Sequence, residues 1–96
     1  MASLVHECAY EVAAPSGERY RVSAFAEPRG NVWIGWLEFA SDVDGAVRRT
    51  GEETSQPTRE DVAYWASGLE PIYLDGAFRQ AKKLTELGEQ ESAEGG

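Results

Sequence analysis

His6 and Cys8 are the two residues of this chain best suited to metal binding or nucleophilic catalysis. They stand two positions apart in a stretch that alternates like a β-strand, where such residues face the same side. A zinc site needs three or four protein ligands, and the sequence has no other histidine or cysteine. No acid stands where it would orient a His6 base beside Cys8. We therefore predict no catalytic residue, no metal site and no cofactor.

Two other stretches carry side chains suited to binding. Residues 51–58, GEETSQPT, form the densest polar segment, and a loop between a strand and a helix is a common place for a binding edge. Residues 31–39, NVWIGWLEF, are the most aromatic segment, and an aromatic patch rimmed by arginine can recognise a protein or stacked bases. The candidate binding residues are Trp36, Arg19, Arg21, Phe25, Glu53, Thr54 and Gln56.

The aromatic segment reads as the central strand of a sheet, because its residues are mostly β-branched or aromatic. Strand alternation places Trp33 with Leu37 and Phe39 on one face, and Trp36 with Ile34 on the other. We expect Trp33 to join the core and Trp36 to lie on a face that contacts a partner or a second copy of the chain, although the C-terminal helix could cover that face instead. A glycine inside a strand often marks a close backbone approach or a bulge, and Gly35 is such a glycine.

The remaining segments predict an α+β fold. Residues 4–14 and 19–26 alternate around a Pro-Ser-Gly turn, and residues 46–50 suit a short edge strand after the Asp44-Gly45 turn. Thr58 can cap a first helix that ends at Gly68, and a second helix begins at Pro71 and extends to residue 87. The expected architecture is an antiparallel three- or four-stranded β-meander followed by two C-terminal helices, in two layers.

Length and charge limit the classes of function. Ninety-six residues correspond to one domain, which we place at residues 1–87, followed by a disordered acidic tail at 88–96. The net charge of −8 is spread evenly along the chain, which disfavours duplex nucleic acid and anionic membranes as partners. Neither a signal peptide nor a membrane-spanning run is visible, so we expect a cytoplasmic protein.

Several local patterns resemble known proteins. The G-W-L-E-F strand, the E-T-x-Q-P loop and the Y-W-A-x-G-L-E-P helix junction resemble a family of small bacterial proteins of similar length, with no activity established for them. Gly51, Thr54 and residues 58–61 also resemble, more weakly, the order found in HicB-type antitoxin domains. In that family a strand follows the helix, whereas this chain has the helix that begins at Pro71.

Three functions fit these observations. The one that we favour is a small non-enzymatic protein-interaction or regulatory module, whose partner is another protein or a second copy of the chain. The alternative is a small-ligand-binding protein or enzyme that uses the loop at 51–58. A second alternative is single-stranded nucleic-acid binding through the sheet face, which the net charge disfavours.

The tail offers a first test. It contains no apolar residue larger than alanine, so it has little to bury against the domain. We expect truncation after Leu87 to leave the melting temperature of the domain unchanged. A clear fall in melting temperature would show that the tail packs against the domain.

Overall fold

The computed structural model describes residues 1–84 and confirms an α+β fold with an antiparallel sheet and two C-terminal helices. The strands are β1 (Ser3–Ala13), β2 (Arg19–Arg29), β3 (Val32–Ser41), β4 (Val47–Arg49), β5 (Thr54–Gln56) and β6 (Lys82–Lys83). The helices are α1 (Arg59–Ser67) and α2 (Pro71–Gln80). Neither helix in this part of the chain is long and apolar enough to cross a membrane.

Strand β3 is the centre of the sheet. It pairs with β2 along its whole length on one side, and β1 extends the sheet beyond β2. On its other side β3 pairs with β4 near its end and with β5 near its start. Between these two short strands the Thr50 hydroxyl accepts a 3.0 Å hydrogen bond from the backbone N–H of Leu37. This side chain therefore replaces the backbone acceptor that a continuous strand would supply.

Both helices pack on one face of the sheet. Thr58 caps α1 as predicted, because its hydroxyl accepts a hydrogen bond from the backbone N–H of Asp61, and Pro71 begins α2. The core between the layers combines alternate residues of β2 and β3 with the inner sides of the helices. Its largest fully buried side chains are Phe39, Leu37, Leu74, Val22 and Val62.

The structure differs from the sequence-based expectation at three places. Residues 54–56 form β5, although their polar composition predicted a loop. Helix α2 ends at Gln80, because Ala81 is extended and the next two residues pair with β4. The predicted alternation of β1 is broken by irregularities between Leu4 and His6 and between Glu7 and Glu11. The tail predicted at 88–96 lies outside the described residues.

Gly35 is a point of close approach between the sheet and the helical layer. A Cβ atom at this position would lie 2.6 Å from the Val62 Cγ1 atom and 2.9 Å from the Thr54 Cγ2 atom. Both neighbours are β-branched and therefore stiff at χ1, and Val62 is fully buried. A larger residue at position 35 would therefore collide with Val62 and Thr54. The close neighbours are side chains, whereas the sequence indicated a close backbone approach or a bulge.

We expect Gly35→Ala to destabilise the protein by about 1–3 kcal/mol, the usual cost of overpacking a well-filled core. The matched control is Gly76→Ala in α2, where an added Cβ has no neighbour within 4 Å. That change should stabilise the helix by up to about 1 kcal/mol, because alanine has the higher helix propensity. Denaturant unfolding of both variants checks the pair. Equal effects at the two glycines would contradict the close approach at Gly35.

Candidate functional site

The face of the sheet opposite the helices, which we call the open face, carries a group of apolar side chains. Leu4 on β1, Phe25 on β2 and Trp36 on β3 lie directly across from one another, so they share this face. Ile34 precedes Trp36 by two residues and lies on the same side. The rings of Phe25 and Trp36 are nearly parallel, with centroids 6.2 Å apart and planes at 13°. Leu4 is 48% exposed and Phe25 is half-buried, whereas Ile34 and Trp36 are buried, so the accessible part of the group lies at Leu4 and Phe25.

Trp36 is held in place by its neighbours on the open face. Its indole N–H donates a 3.1 Å hydrogen bond to the Glu38 carboxylate, which also accepts a 3.1 Å hydrogen bond from Arg49. The Arg49 guanidinium lies over the indole ring, 5.6 Å from its centroid. These contacts leave Trp36 only 8% exposed. The ring therefore forms a rigid floor of the surface and does not protrude from it.

The expected roles of the two tryptophans on β3 were partly wrong. Trp33 lies on the helix side, as predicted, but it is only half-buried and does not belong to the core. It stands near the start of β3, opposite Pro28 and Gln56, at the end of the strand away from Leu37 and Phe39. Trp36, which we expected to be the more accessible tryptophan, is the more deeply buried of the two.

Ion pairs surround this apolar group. The described residues contain five, and each involves an arginine of the open face. The pairs are Arg19–Glu11 (2.8 Å), Arg21–Asp42 (3.7 Å), Arg29–Glu27 (3.4 Å), Arg29–Glu52 (3.6 Å) and Arg49–Glu38 (3.1 Å). Exposed pairs of this kind contribute little to stability, typically below about 1 kcal/mol. Their effect is to make the rim of the open face polar, with four arginines set against five carboxylates.

A cavity of about 340 Å³ opens beside Trp36. Its walls combine apolar and charged side chains with the short segment that separates β4 from β5. It is lined by Ala2, Glu27, Arg29, Ile34, Trp36, Arg49, Thr50, Gly51 and Glu52. The polar loop predicted as a binding edge thus contributes to this face, but through Gly51 and Glu52.

The three candidate residues of that loop lie elsewhere. The Gln56 side chain donates a 2.7 Å hydrogen bond to the Thr54 hydroxyl, and Thr54 faces the helices at Gly35. Glu53 accepts a hydrogen bond from the Tyr73 hydroxyl on α2. The contact of Glu53 with Tyr73 joins the segment before β5 to the helical layer. The structure therefore brings two pairs of predicted binding residues into contact, Trp36 with Phe25 on the open face and Gln56 with Thr54 on β5.

Arg19 and Arg21 lie on the open face but at a distance from its apolar centre. Arg21 pairs across the sheet with Ala40, four residues along β3 from Trp36, which corresponds to about 13 Å. The arginine that lies against Trp36 is Arg49, and Arg29, which pairs with Val32, lines the cavity beside Trp36. The sequence analysis selected neither of them. One signal in the sequence could have pointed to Arg49. Arg48 and Arg49 are adjacent in a short strand, so their side chains face opposite sides and one of them must lie on the open face.

The residues suited to nucleophilic or metal chemistry do not form a site. Burial raises the pKa of the Cys8 thiol above its ordinary value, so the thiolate needed for nucleophilic attack is disfavoured. Residues 1–84 contain no group of three or more histidine, cysteine, aspartate or glutamate side chains arranged to hold a metal ion. The candidate site of this structure is therefore the open face and the cavity beside Trp36.

The contact between Tyr73 and Glu53 has a measurable consequence. Burial, together with the hydrogen bond to the Glu53 carboxylate and its charge, raises the pKa of Tyr73 to about 12. Because the folded state favours the neutral phenol, stability from this pair is complete below pH 10 and is lost as the pH rises toward 12. Ultraviolet titration of the wild type, minus that of Tyr73→Phe, gives the titration of the Tyr73 phenol alone. Glu53→Gln should lower the pKa of Tyr73, and an unchanged pKa would exclude the contact between Tyr73 and Glu53.

Comparison with models of known protein families, with curated proteins and with solved structures finds no match for this chain. The resemblances to small bacterial proteins and to HicB-type antitoxin domains therefore stay predictions. The function has to be argued from the geometry of the described residues.

Proposed function

We propose that this protein is a small non-enzymatic interaction module that binds another protein chain through its open face. The observation that carries this proposal is the group formed by Leu4, Phe25, Ile34 and Trp36, on a sheet face that neither α1 nor α2 covers. An apolar surface left open on a small domain is the usual mark of an interaction site.

The composition of the open face fits a protein partner. Protein interfaces combine an apolar centre with a polar, solvent-accessible rim, and tryptophan and arginine are frequent among their most important residues. Here the apolar centre is ringed by ion pairs, and Arg49 lies over Trp36. The hydrogen bond to Glu38 fixes the indole before any partner arrives, which reduces the entropy lost on binding.

Single-stranded nucleic acid is a weaker candidate for this surface. Binding a phosphate backbone depends on cationic side chains that are free to neutralise it. Each of the four arginines on the open face has a carboxylate within 4 Å, and the whole chain carries a net charge of −8. A protein partner requires no such neutralisation, so we favour it.

A small ligand in the cavity beside Trp36 is the second candidate function. The cavity of about 340 Å³ lies within the size range of ligand pockets, and Arg29 and Arg49 would orient a polar group there. A thermal-shift screen of metabolite classes tests this candidate, because a ligand that binds only the folded state raises the melting temperature. If a metabolite raises the melting temperature of the wild type but raises that of Trp36→Phe less, the small ligand would be favoured over the protein partner.

Leu4→Glu provides the test of the interaction surface. Leu4 is half exposed, so the added carboxylate should leave the domain folded while it disrupts the apolar centre of an interface. We expect the affinity for the partner to fall about tenfold or more. The measurements are sedimentation of the purified chain, for self-association, and quantitative capture of partners from extracts of the source cells.

The matched control is Ile72→Glu, which places the same charge on an equally apolar but 85% exposed position of α2. This variant should bind as the wild type does. If Ile72→Glu loses binding and Leu4→Glu retains it, the helical layer is the interaction surface and the proposal is wrong. A wild-type chain that neither self-associates nor captures a specific protein would contradict it as well.

A further inference from the structure

A second cavity, of about 470 Å³, lies on the helix side of the sheet. Its floor and walls are mostly apolar, but two guanidinium groups and one carboxylate also line it. The lining residues are Val12, Ala13, Pro15, Arg48, Asp75, Phe78 and Arg79. It is formed by β1, the turn after it, β4 and α2, so it is separated from the open face by the sheet itself.

Arg48 differs from the arginines of the open face. Its guanidinium carbon lies 5.0 Å from the centroid of the Phe78 ring and 5.6 Å from that of Tyr20. Within residues 1–84 no carboxylate oxygen lies within 4 Å of its nitrogens, and the same holds for Arg79. Stacking on aromatic rings satisfies the faces of a guanidinium but leaves its in-plane N–H donors available for an acceptor.

The positive charge around this cavity is concentrated further by β6. Lys83 lies directly opposite Arg48 in the pairing of β4 with β6, so their side chains share the helix side. Like charges placed opposite each other across two strands repel and destabilise the pairing. Among residues 1–84, Asp75 is the one acidic residue that lines the cavity. In a chain of net charge −8, this local excess of cations is a site prepared for an anion.

We propose that this cavity binds a carboxylate that stands next to an apolar group. The carboxylate would accept hydrogen bonds from Arg48 and Arg79, since the planar guanidinium fork matches a carboxylate in geometry. The apolar group would rest on Phe78, Val12 and Pro15. Such a ligand is either the last residue of a peptide with an apolar side chain or a free apolar carboxylic acid of similar size. A cavity of this volume accommodates either source.

This site does not depend on the function proposed for the open face. It uses the other side of the sheet, and none of the residues that line it lines the cavity beside Trp36. A peptide terminus bound there and a protein bound on the open face could be held at the same time. Failure of one proposal therefore leaves the other standing.

Titration of the full 96-residue chain, followed by amide NMR, tests the site. The probes are N-acetyl-phenylalanine and a hexapeptide that ends in phenylalanine, each compared with its C-terminal amide. We expect the acids to shift the resonances of Val12, Arg48 and Phe78 and to bind at least about tenfold more tightly than the amides. If N-acetyl-phenylalanine and the hexapeptide acid bind with equal affinity, a small apolar acid is a sufficient ligand. If the hexapeptide acid binds more tightly, the ligand is the C-terminus of a peptide chain.

Two substitutions complete the test. Arg79→Gln removes one guanidinium from an exposed position, so the chain should stay folded while the affinity for the acids falls about tenfold. Lys82→Gln is the control, because Lys82 pairs with Arg49 and lies toward the open face. The proposal is overturned if the amides bind as tightly as the acids, if no probe shifts the cavity resonances, or if Lys82→Gln and Arg79→Gln weaken binding equally.

Discussion

The close approach of Val62 to Gly35 is the contact on which the rest of the structure depends. It brings the Val62 side chain of α1 against the central strand, and β5 contacts the same glycine through Thr54. The second helix then covers the remaining core through Leu74 and Phe78. Once both helices are placed on this side, the chain has no further described element with which to cover the other side. The bare open face is thus a consequence of where the helical layer is anchored.

The divided edge of β3 shapes that open face further. Because β4 and β5 share one side of the strand, the chain has to leave the sheet between them and return to it. The Thr50 hydroxyl satisfies the Leu37 N–H at this break, and the Glu53 N–H donates to the Gly35 carbonyl where pairing resumes. The residues in between, Gly51 and Glu52, become a wall of the cavity beside Trp36. The break in backbone pairing between β4 and β5 therefore produces one wall of this cavity.

Much of the fold could be predicted from local patterns. The two hairpins follow from alternation and turn residues, and α1 follows from the capping threonine. Strand β5 could not be predicted, because its three residues are polar and show no apolar alternation. Strand β6 could not be predicted either, because the helical spacing of apolar residues in α2 continues into Ala81 and so indicated a longer helix. Both form because an edge of the sheet is available to them, which is a tertiary effect and not a local propensity.

The candidate site was predictable in part for a similar reason. The sequence analysis selected both Phe25 and Trp36, and the pairing of β2 with β3 places them opposite each other on one face. Strand alternation could not show that Arg49 and Glu38 would cover the indole, because the pairing of β4 with β3 determines that contact. An even distribution of charge along the chain likewise concealed its separation in space. The arginines of the open face are ion-paired. Arg48 and Arg79 line one cavity, and in the described part of the chain neither has a carboxylate oxygen within 4 Å.

The three tryptophan indole N–H signals give the most direct test of the central claim, that the open face is the interaction surface. Trp36 reports on that face, whereas Trp33 and Trp65 lie on the helix side. NMR spectra of the labelled chain should be recorded at increasing protein concentration and then in extracts of the source cells. The account predicts that the Trp36 signal shifts or broadens while the Trp65 signal is unchanged. Changes at Trp65 and Trp33 with an unaffected Trp36 would contradict it.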